Sequence, residues 1–318
     1  MLLDIVLLIV GFGFVIKGAD LLIDGASSLA KRFSIPEIVI GLTIVAFGTS
    51  APELVVNIFA SLRQSNEMVL GNIIGSNVFN SLLILGIAGM IYPITVQKKT
   101  VWREIPFSLA AVVVLFFMAN DNMFGGNDVE QISRTEGMIL LVFFVMFLLY
   151  VFFISKNGSD DLHDVEVYTM TKTVLFVLLG LAGLFIGGQM VVDNAVEIAR
   201  ALDVSEKLIA LTIVSGGTSL PELVTSAVAA TKKRCDMAVG NVVGSNIFNI
   251  LLVMGSSSVV YPVKFNRIFN VDIAFVAGSA AFLFLTMFTG KKRKLDRWEA
   301  AVLLVVYVAY MYYVIARK

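Results

Sequence analysis

Two blocks of the sequence recur at a constant offset of 169 residues, and both lie inside strongly apolar segments. Residues 48–53 read Gly-Thr-Ser-Ala-Pro-Glu, and residues 217–222 read Gly-Thr-Ser-Leu-Pro-Glu. Residues 71–80 recur in the same way at 240–249, as Gly-Asn-x-x-Gly-Ser-Asn-x-Phe-Asn. Because one offset relates both blocks, no gap separates them, and the chain consists of two copies of one structural unit.

The composition indicates a membrane protein. Of the 318 residues, 58% are hydrophobic and 15% charged, and the mean hydropathy is +0.89, whereas soluble domains are about half apolar and a quarter charged. The apolar residues form runs of about 20 residues, the length of a helix that crosses a bilayer. We expect the first run to be a retained helix, because no basic segment precedes it. The predicted spans are 2–23, 36–62, 69–92, 104–119, 136–155, 172–193, 207–231, 238–262, 271–289 and 298–316.

Five of these spans lie on each side of a polar, mostly acidic segment, residues 156–171. A unit of five spans is odd, so the second copy enters the membrane from the opposite face, and a pseudo-two-fold axis in the membrane plane relates the copies. We therefore predict an all-α membrane protein of ten transmembrane helices in two inverted five-helix repeats with broken core helices. The repeats are residues 1–155 and 172–318, and residues 156–171 are the acidic cytoplasmic linker.

The distribution of basic residues predicts the orientation. Loops after spans 1, 3, 7 and 9 carry most of the lysines and arginines, and the positive-inside rule places such loops in the cytoplasm. Both termini then lie outside, and the chain is a multi-pass protein of the cell membrane. The loop residues that support this orientation are Lys31, Arg32, Lys98, Lys99, Arg103, Lys232, Lys233, Arg234 and the run 291–294.

Several functional classes are disfavoured by what the sequence lacks. His163 is the only histidine and Cys235 the only cysteine, so the sequence offers no histidine-rich zinc or copper site, no Ser-His-Asp triad and no intrachain disulfide. The formal net charge of zero does not favour a nucleic-acid partner. We expect no enzymatic activity and no cofactor. The lipid bilayer is the expected surrounding, and no obligate protein partner is implied.

The first block combines an acidic residue with features that interrupt a helix. A carboxylate such as Glu53 is costly inside a membrane unless it meets a partner, a cavity or a cation. Pro52 lacks an N–H and clashes with the carbonyl of Gly48, so the sequence predicts carbonyls released from helical bonding around residues 46–48. Thr49 and Ser50 add hydroxyl oxygens. The second copy repeats the set with Glu222, Thr218, Ser219 and the carbonyls of residues 215–217.

The second block adds neutral oxygens. Ser76 and Asn80, like Ser245 and Asn249, are four residues apart and share one helix face. The Gly71/Gly75 and Gly240/Gly244 spacings allow close helix approach. Hard oxygens without imidazole or thiolate suit Ca²⁺ and Na⁺. The alternative is structural: the first block would then be a kink and the second a packing motif.

These motifs resemble the α-repeats of the sodium/calcium exchanger branch of the calcium/cation antiporter superfamily, of the prokaryotic type without a regulatory loop. The resemblance implies a core of spans 2, 3, 7 and 8, with long tilted spans 1 and 6 sliding across it. It also implies an ion site whose side-chain or carbonyl ligands come from Glu53, Glu222, Thr49, Ser50, Thr218, Ser219, Ser76, Asn80, Ser245, Asn249, Ala46 and Ser215.

One position distinguishes this chain from part of that family. Members such as the potassium-dependent exchangers carry Asp where this chain has Asn249, so the resemblance implies two carboxylates and weakens potassium coupling. The resemblance implies a secondary active antiporter that carries sodium inward and calcium outward by alternating access around Glu53 and Glu222. The alternatives are calcium/proton or potassium-coupled exchange on the same fold, and a non-transporting membrane sensor or scaffold.

Overall fold

The computed structural model describes residues 1–121, 130–155, 165–204, 215–289 and 293–316. These residues form helices and four two-residue strands. The helices are α1 (Leu2–Phe33), α2 (Glu37–Thr49), α3 (Ala51–Leu62), α4 (Asn66–Ile91), α5 (Lys98–Trp102), α6 (Glu104–Ala119), α7 (Arg134–Ser155), α8 (Met170–Ala201), α9 (Ser215–Thr218), α10 (Leu220–Thr231), α11 (Cys235–Val260), α12 (Phe269–Thr286) and α13 (Arg297–Ala316). The strands are β1 (Ile94–Thr95), β2 (Gln131–Ile132), β3 (Val263–Lys264) and β4 (Lys294–Leu295).

The helical membrane architecture predicted from the sequence is confirmed. Within the described residues, eight helical stretches are long and apolar enough to cross a bilayer, and a bent pair, α2 with α3, makes up to nine. The predicted seventh span, 207–231, lies partly outside the described residues, and α9 and α10 form the rest of it. The count of ten spans therefore stays a prediction.

Helices α1 and α8 are much longer than their predicted spans, which ended near residues 23 and 193. Each has 32 residues, or about 48 Å at 1.5 Å per residue, so each exceeds the hydrocarbon thickness of about 30 Å. The prediction failed because it ended each span near an aspartate. In the folded chain Lys232 Nζ lies 2.6 Å from Asp24 and Gln189 donates to Asp193, so both carboxylates are tolerated within a continuing helix.

The two small sheets show that the repeats are inverted. β1 pairs with β4, and β2 pairs with β3, both antiparallel. Helix α6 lies between β1 and β2 in the chain, and α12 lies between β3 and β4, so the two sheets lie at opposite ends of the bundle. β1 and β3 occupy the same repeat position, 169 residues apart, yet lie in different sheets. Equivalent parts of the repeats therefore face opposite sides.

The predicted helix breaks are confirmed at the first block of each repeat. α2 and α3 meet at a bend of 47°, where Ser50 leaves helical geometry with φ −87° and ψ 3°. Ser219 does the same between α9 and α10, with φ −90° and ψ 7°. In both cases a proline sits at the start of the following helix, where its missing N–H is not needed.

Helices α4 and α11 continue through the second block without a break. Each contains a π-helical segment instead, Phe79–Ile84 in α4 and Phe248–Met254 in α11. A third π-helical segment, Gly41–Val45, lies in α2. Such segments insert an extra residue into a turn and often occur at functional sites. Here two of them begin one residue before Asn80 and Asn249.

Glycines allow the long helices α1 and α8 to pack backbone against backbone. A Cβ atom added at Gly18 would lie 2.8 Å from the carbonyl oxygen of Gly180, and one added at Gly180 would lie 2.7 Å from the backbone nitrogen of Leu22. No side chain fits at these distances. The two long helices therefore form one tightly packed pair, which lies against the core helices.

The predicted close approach at the second block is confirmed in one repeat only. A Cβ at Gly240 would lie 2.8 Å from the carbonyl oxygen of Ile38, and one at Gly244 would lie 2.7 Å from the Cβ of Ala46. α11 is thus pressed against α2. At Gly71 no atom of the described residues lies within 4 Å of an added Cβ. Residues 207–211, which take the place of Ile38–Leu42 in the second repeat, lie outside the described residues, so the prediction stays a prediction there.

Candidate ion-binding site

The helix breaks bring the two glutamates into the protein interior at equivalent positions. Glu53 lies in the first turn of α3 and Glu222 in the first turn of α10. Each is only 1% exposed. A helix N-terminus carries a partial positive charge, which stabilises a carboxylate in the first turn. The break caused by the Ser-x-Pro sequence therefore both creates this favourable position and places an acidic residue in it.

Two serines connect the repeats across the site. The hydroxyl of Ser50 donates to Oε1 of Glu222 at 2.9 Å, and the hydroxyl of Ser219 donates to Oε1 of Glu53 at 3.2 Å. Each carboxylate is thus bound by the residue at the helix break of the other repeat. Four residues that the sequence predicts as ligands meet at one place, although 166 and 172 residues separate the partners.

The facing helices α4 and α11 complete the group. Ser245 of α11 donates to Oε1 of Glu222 at 3.5 Å. The amide of Asn80 donates to Asn246, and the amide of Asn249 donates to Asn77, each at 3.2 Å. These two bonds are related by the repeat. They turn the NH₂ groups of Asn80 and Asn249 toward the opposite helix, so their carbonyl oxygens remain for other partners.

Five oxygen atoms of the predicted ligands are buried and accept or donate no hydrogen bond among the described residues. Leaving such an atom unpaired costs about 1–3 kcal/mol, so one or two would be unusual and five require a common explanation. Hard oxygens of this kind are the ligands that Ca²⁺ and Na⁺ take. The atoms are Glu53 Oε2, Glu222 Oε2, Ser76 Oγ, Asn80 Oδ1 and Asn249 Oδ1.

Two carboxylates, those of Glu53 and Glu222, lie in the described part of the candidate site. No group of three or more His, Cys, Asp or Glu side chains is arranged to hold a metal ion within the parts of the chain that the structure describes. When both are ionised, Glu53 and Glu222 give the site two negative charges, which match one divalent cation. Transition metals that prefer nitrogen or sulfur ligands find neither in the site residues described.

The two threonines reach residues that the sequence analysis passed over. Thr49 donates to Oδ1 of Asn241 at 3.1 Å. Thr218 accepts from the amide of Asn72 at 3.2 Å. Asn72 and Asn241 are equivalent positions of the second block, and each crosses to the other repeat. Both asparagines lie inside the repeated block, and this position was the signal that could have identified them. From that block, only residues that match the family's ligands were predicted as site residues.

The predicted carbonyl ligands fit less well. The carbonyl of Ala46 accepts the N–H of Ser50 at 2.9 Å and the hydroxyl of Thr49 at 3.3 Å. The prediction that the helix break releases this carbonyl from backbone bonding is therefore wrong. The break lies at Ser50, whose own N–H still makes the helical hydrogen bond to Ala46. Ser215 begins α9, and its side chain lies outside what the structure describes.

A cavity of about 1080 Å³ reaches the site from one end of the bundle. Thr218 and Asn72 line its inner part, and α8 forms one wall. Among the described residues, its lining includes four acidic side chains and one basic side chain, Arg200, which pairs with Glu197 at 2.9 Å. A negative lining raises the local concentration of cations. The acidic residues are Glu67, Asp193, Glu197 and Asp272.

Comparison with known proteins identifies the family. The family model described as sodium/calcium exchanger protein matches residues 3–153 and 172–316. The chain is 34% identical to the putative antiporter CaxA of Alkalimonas amylolytica, over 98% of both chains. It is 29% identical to the sodium/calcium exchanger MaX1 of Methanosarcina acetivorans, over 97% of both.

A solved structure shows the same relationship in three dimensions. The sodium-calcium exchanger NCX_Mj superimposes with a TM-score of 0.84 at 29% identity, and the match covers 100% of both chains. These matches cover nearly the whole chain. They agree with the repeat, the inverted sheets and the paired buried glutamates described above. The chain belongs to the sodium/calcium exchanger family.

Proposed function

We propose that this chain is a secondary active antiporter that exchanges sodium for calcium across the cell membrane. The observation that carries the proposal is the set of five buried oxygens without a hydrogen-bond partner among the described residues, gathered around Glu53 and Glu222. A cation is the partner that such a set lacks. Calcium and sodium are the substrates, and the family, like the relatives named above, supports this pair of ions.

The charges of the site support an exchange cycle. Two ionised glutamates balance one Ca²⁺. Three Na⁺ ions, the family's usual number as the resemblance implies, would leave one net positive charge, so exchange would move charge across the membrane. The neutral oxygens of Ser76, Asn80 and Asn249 offer positions for monovalent ions beside the carboxylates. The twelve-residue set predicted from the sequence, which includes Glu53 and Glu222, is proposed as this site.

Alternating access is supported by the difference between the two sides of the site. The cavity reaches Thr218 from one end, while Gly240 and Gly244 are pressed against α2 toward the other. Under the orientation predicted from loop charges, the open end is extracytoplasmic. Movement of the α1–α8 pair across the core would close this end and open the other.

The domain organisation is proposed as the sequence suggests: repeats 1–155 and 172–318, a cytoplasmic linker 156–171, and both termini outside. The family match omits residues 154–171, which supports the linker. Part of the linker, 156–164, lies outside the described residues. Its described end lies beside the last turn of α1, where Lys31 donates to the carbonyl of Val165 and Arg32 to that of Tyr168.

Transport by purified protein in lipid vesicles tests the proposal. Vesicles loaded with sodium and diluted into sodium-free medium should take up labelled calcium, and the uptake should generate a membrane potential. Matched vesicles with only a potassium gradient or only a proton gradient should show no uptake above protein-free vesicles. Uptake driven by protons, or uptake that requires potassium, would replace the proposed coupling. Absence of calcium uptake under every gradient would refute the function.

A further inference from the structure

Two buried carboxylates outside the candidate ion site occupy equivalent positions in the two repeats. Residues 104–107 read Glu-Ile-Pro-Phe and residues 272–275 read Asp-Ile-Ala-Phe, at an offset of 168 residues. Glu104 lies in the first turn of α6 and Asp272 in the first turn of α12, and each is 1% exposed. The buried residues that follow them along the two helices have the same spacing. The two carboxylates are therefore counterparts in the inverted repeats.

The helices that follow α6 and α12 pack against them in the same way. The rings of Phe107 and Tyr150 lie 6.4 Å apart between α6 and α7, and those of Phe275 and Tyr313 lie 6.5 Å apart between α12 and α13. Because the two helix pairs have matching contacts, the surroundings of one carboxylate can be compared with those of the other.

The comparison shows one carboxylate at the open end and one at the closed end. Asp272 lines the cavity that leads to Thr218, and Tyr307 of α13 lines it as well. In the first repeat Phe144 stands in the place of Tyr307, and its ring packs against Phe248 with centroids 4.9 Å apart. The β1–β4 end is thus closed around α6 and α7, where Glu104 lies.

The closed end leaves one oxygen of Glu104 without a role in packing. Oε1 accepts the hydroxyl of Tyr150 at 2.8 Å. Oε2 is buried and makes no hydrogen bond with a described residue, which is costly for a carboxylate. A glutamine would bind Tyr150 equally well through its carbonyl oxygen. Arg103 precedes Glu104 but is exposed, so water and salt screen its charge.

We propose that Glu104 and Asp272 are the cation-binding carboxylates of the two access paths, one at each end of the bundle. Asp272 lines its path in the present state. Glu104 lines the equivalent path when the β1–β4 end opens, because inverted repeats give the two ends matching elements. The carboxylate then attracts Ca²⁺ or Na⁺ on its way to or from the central site, as hard oxygens and a negative lining do.

This inference rests on the proposed function and is tested first with Glu104→Gln, which keeps the size and the acceptor for Tyr150 but removes the charge. Calcium uptake is measured separately at each face in oriented vesicles. The half-saturating calcium concentration at the β1–β4 face should rise about threefold, the size of one hydrated charge–charge contact. At the opposite face it should not change. Asp272→Asn should give the mirrored result.

Tyr150→Phe is the control for a purely structural role of Glu104. It removes the hydrogen bond between α6 and α7 but keeps the carboxylate, so it should lower the melting temperature and leave both half-saturating concentrations unchanged. Equal effects of Tyr150→Phe and Glu104→Gln would overturn the inference. A rise at one face with a fall at the other would also overturn it, since that pattern reports a shift between open states. No effect of Glu104→Gln on otherwise normal uptake would contradict the inference alone.

A second measurement reports on the path without requiring transport. Val151 is buried beside Tyr150 and takes the place of Val314, which lines the open cavity. In a Cys235→Ser background, an impermeant thiol reagent should label Val151→Cys slowly from the β1–β4 face. Adding Lys232→Met, which removes the contact with Asp24 at that end, should accelerate the labelling about threefold.

Two control variants make this labelling decisive. Val314→Cys should be labelled from the opposite face without Lys232→Met. Arg63→Met, at the repeat position of Lys232, should not accelerate the labelling of Val151→Cys. Labelling of Val151→Cys that Lys232→Met leaves unchanged would overturn the inference. Because the labelling needs no ion gradient, a wild type that fails to take up calcium would refute the proposed function while this measurement still tests the path.

Discussion

The two ends of the bundle carry related residues but are closed to different extents. At one end Lys232, in the loop after α10, lies 2.5 Å from Asp20 and 2.6 Å from Asp24, both on α1. Lys17 adds a further contact to Asp20 at 2.6 Å. This cluster ties the long helix α1 to the core, and α2 is packed against α11 beneath it.

At the other end the equivalent residues do not meet. Arg63 takes the place of Lys232 and is exposed, and it forms no ion pair with a described residue. Asp193 takes the place of Asp24 and accepts a hydrogen bond from Gln189 on its own helix. Gln189 itself stands where the first repeat has Asp20. The cavity opens at this end.

The comparison shows how a symmetric site acquires a preferred open side. The ligands are nearly identical in the two repeats, so the site itself has little preference. At the repeat positions compared, two aspartates and two lysines are in contact at one end, whereas Asp193 and Arg63 at the other end form no ion pair with each other. The repeats differ here at two positions, with Gln189 in the place of Asp20 and Ile186 in the place of Lys17.

Because the repeats are inverted, cysteines at equivalent positions should be labelled from opposite faces of the membrane. In a Cys235→Ser background, Lys98→Cys and Arg267→Cys mark the same repeat position, and both native residues are exposed. An impermeant thiol reagent applied to sealed, oriented vesicles should label one variant only from inside and the other only from outside. Labelling of both from the same face would contradict the inverted repeats.

Substitution of the central glutamate should reduce exchange to the same extent in either repeat. Glu53→Gln or Glu222→Gln keeps the size but removes half of the negative charge, leaving one charge of a bound calcium ion uncompensated. Breaking a buried ion pair costs about 3 kcal/mol or more, so exchange should fall on the order of a hundredfold. Calcium uptake by vesicles measures this.

The matched control for these variants is folding, measured by the melting temperature and the size-exclusion profile in detergent. Both should remain close to those of the wild type. Wild-type exchange by either glutamine variant would place that glutamate outside the ion site. A large loss in only one of the two would show that the repeats contribute unequally at the centre.

Asn249→Asp should replace a neutral ligand of the proposed site by a charged one. The new carboxylate adds a third negative charge and cannot donate to Asn77 as the native amide does. Greater ligand charge tightens calcium binding, so the half-saturating calcium concentration should fall on the order of tenfold while turnover slows. Asn80→Asp is the matched change in the other repeat and should act similarly.

These two variants are best compared by calcium exchange with and without potassium. Unchanged affinity and rate in Asn249→Asp would remove this residue from the site. A potassium-dependent gain in exchange would show that the substitution of Asn for Asp is what separates this chain from potassium-coupled relatives.

The smallest effect is expected at the closed end. Lys232→Met removes both contacts of Lys232 with Asp20 and Asp24. Because each partner is about one-third exposed, an ion pair here is worth roughly 0.2–1 kcal/mol, and opening should increase about threefold. A reporter cysteine, Ser27→Cys, lies buried one turn beyond Asp24 on α1, and its labelling rate from that face measures the opening.

Arg63→Met is the control, since Arg63 occupies the same repeat position without an ion pair to a described residue. It should leave the labelling of the reporter unchanged. If both substitutions accelerated labelling equally, the ion pairs of Lys232 would have no part in closing this end.

Some features of the site follow from the sequence because they depend on neighbours in the chain. The break before α3 follows from Pro52, whose ring cannot continue the preceding helix, and the same reasoning holds for Pro221. The burial of Glu53 and Glu222 follows from their place within apolar spans. Other features were missed because they depend on contacts between distant residues. The π-helical segments and the bonds of Asn72 and Asn241 are of this kind.

The sequence by itself determined the membrane class, the two repeats, the helix breaks and the residue types of the site, because hydropathy, repeat offset and proline chemistry are local properties. Only the tertiary structure decided which oxygens remain without partners, how far α1 and α8 extend, and which end is open. Those outcomes depend on pairs such as Ser50 with Glu222 and Lys232 with Asp24. Such pairs form only when chain packing brings together residues far apart in sequence.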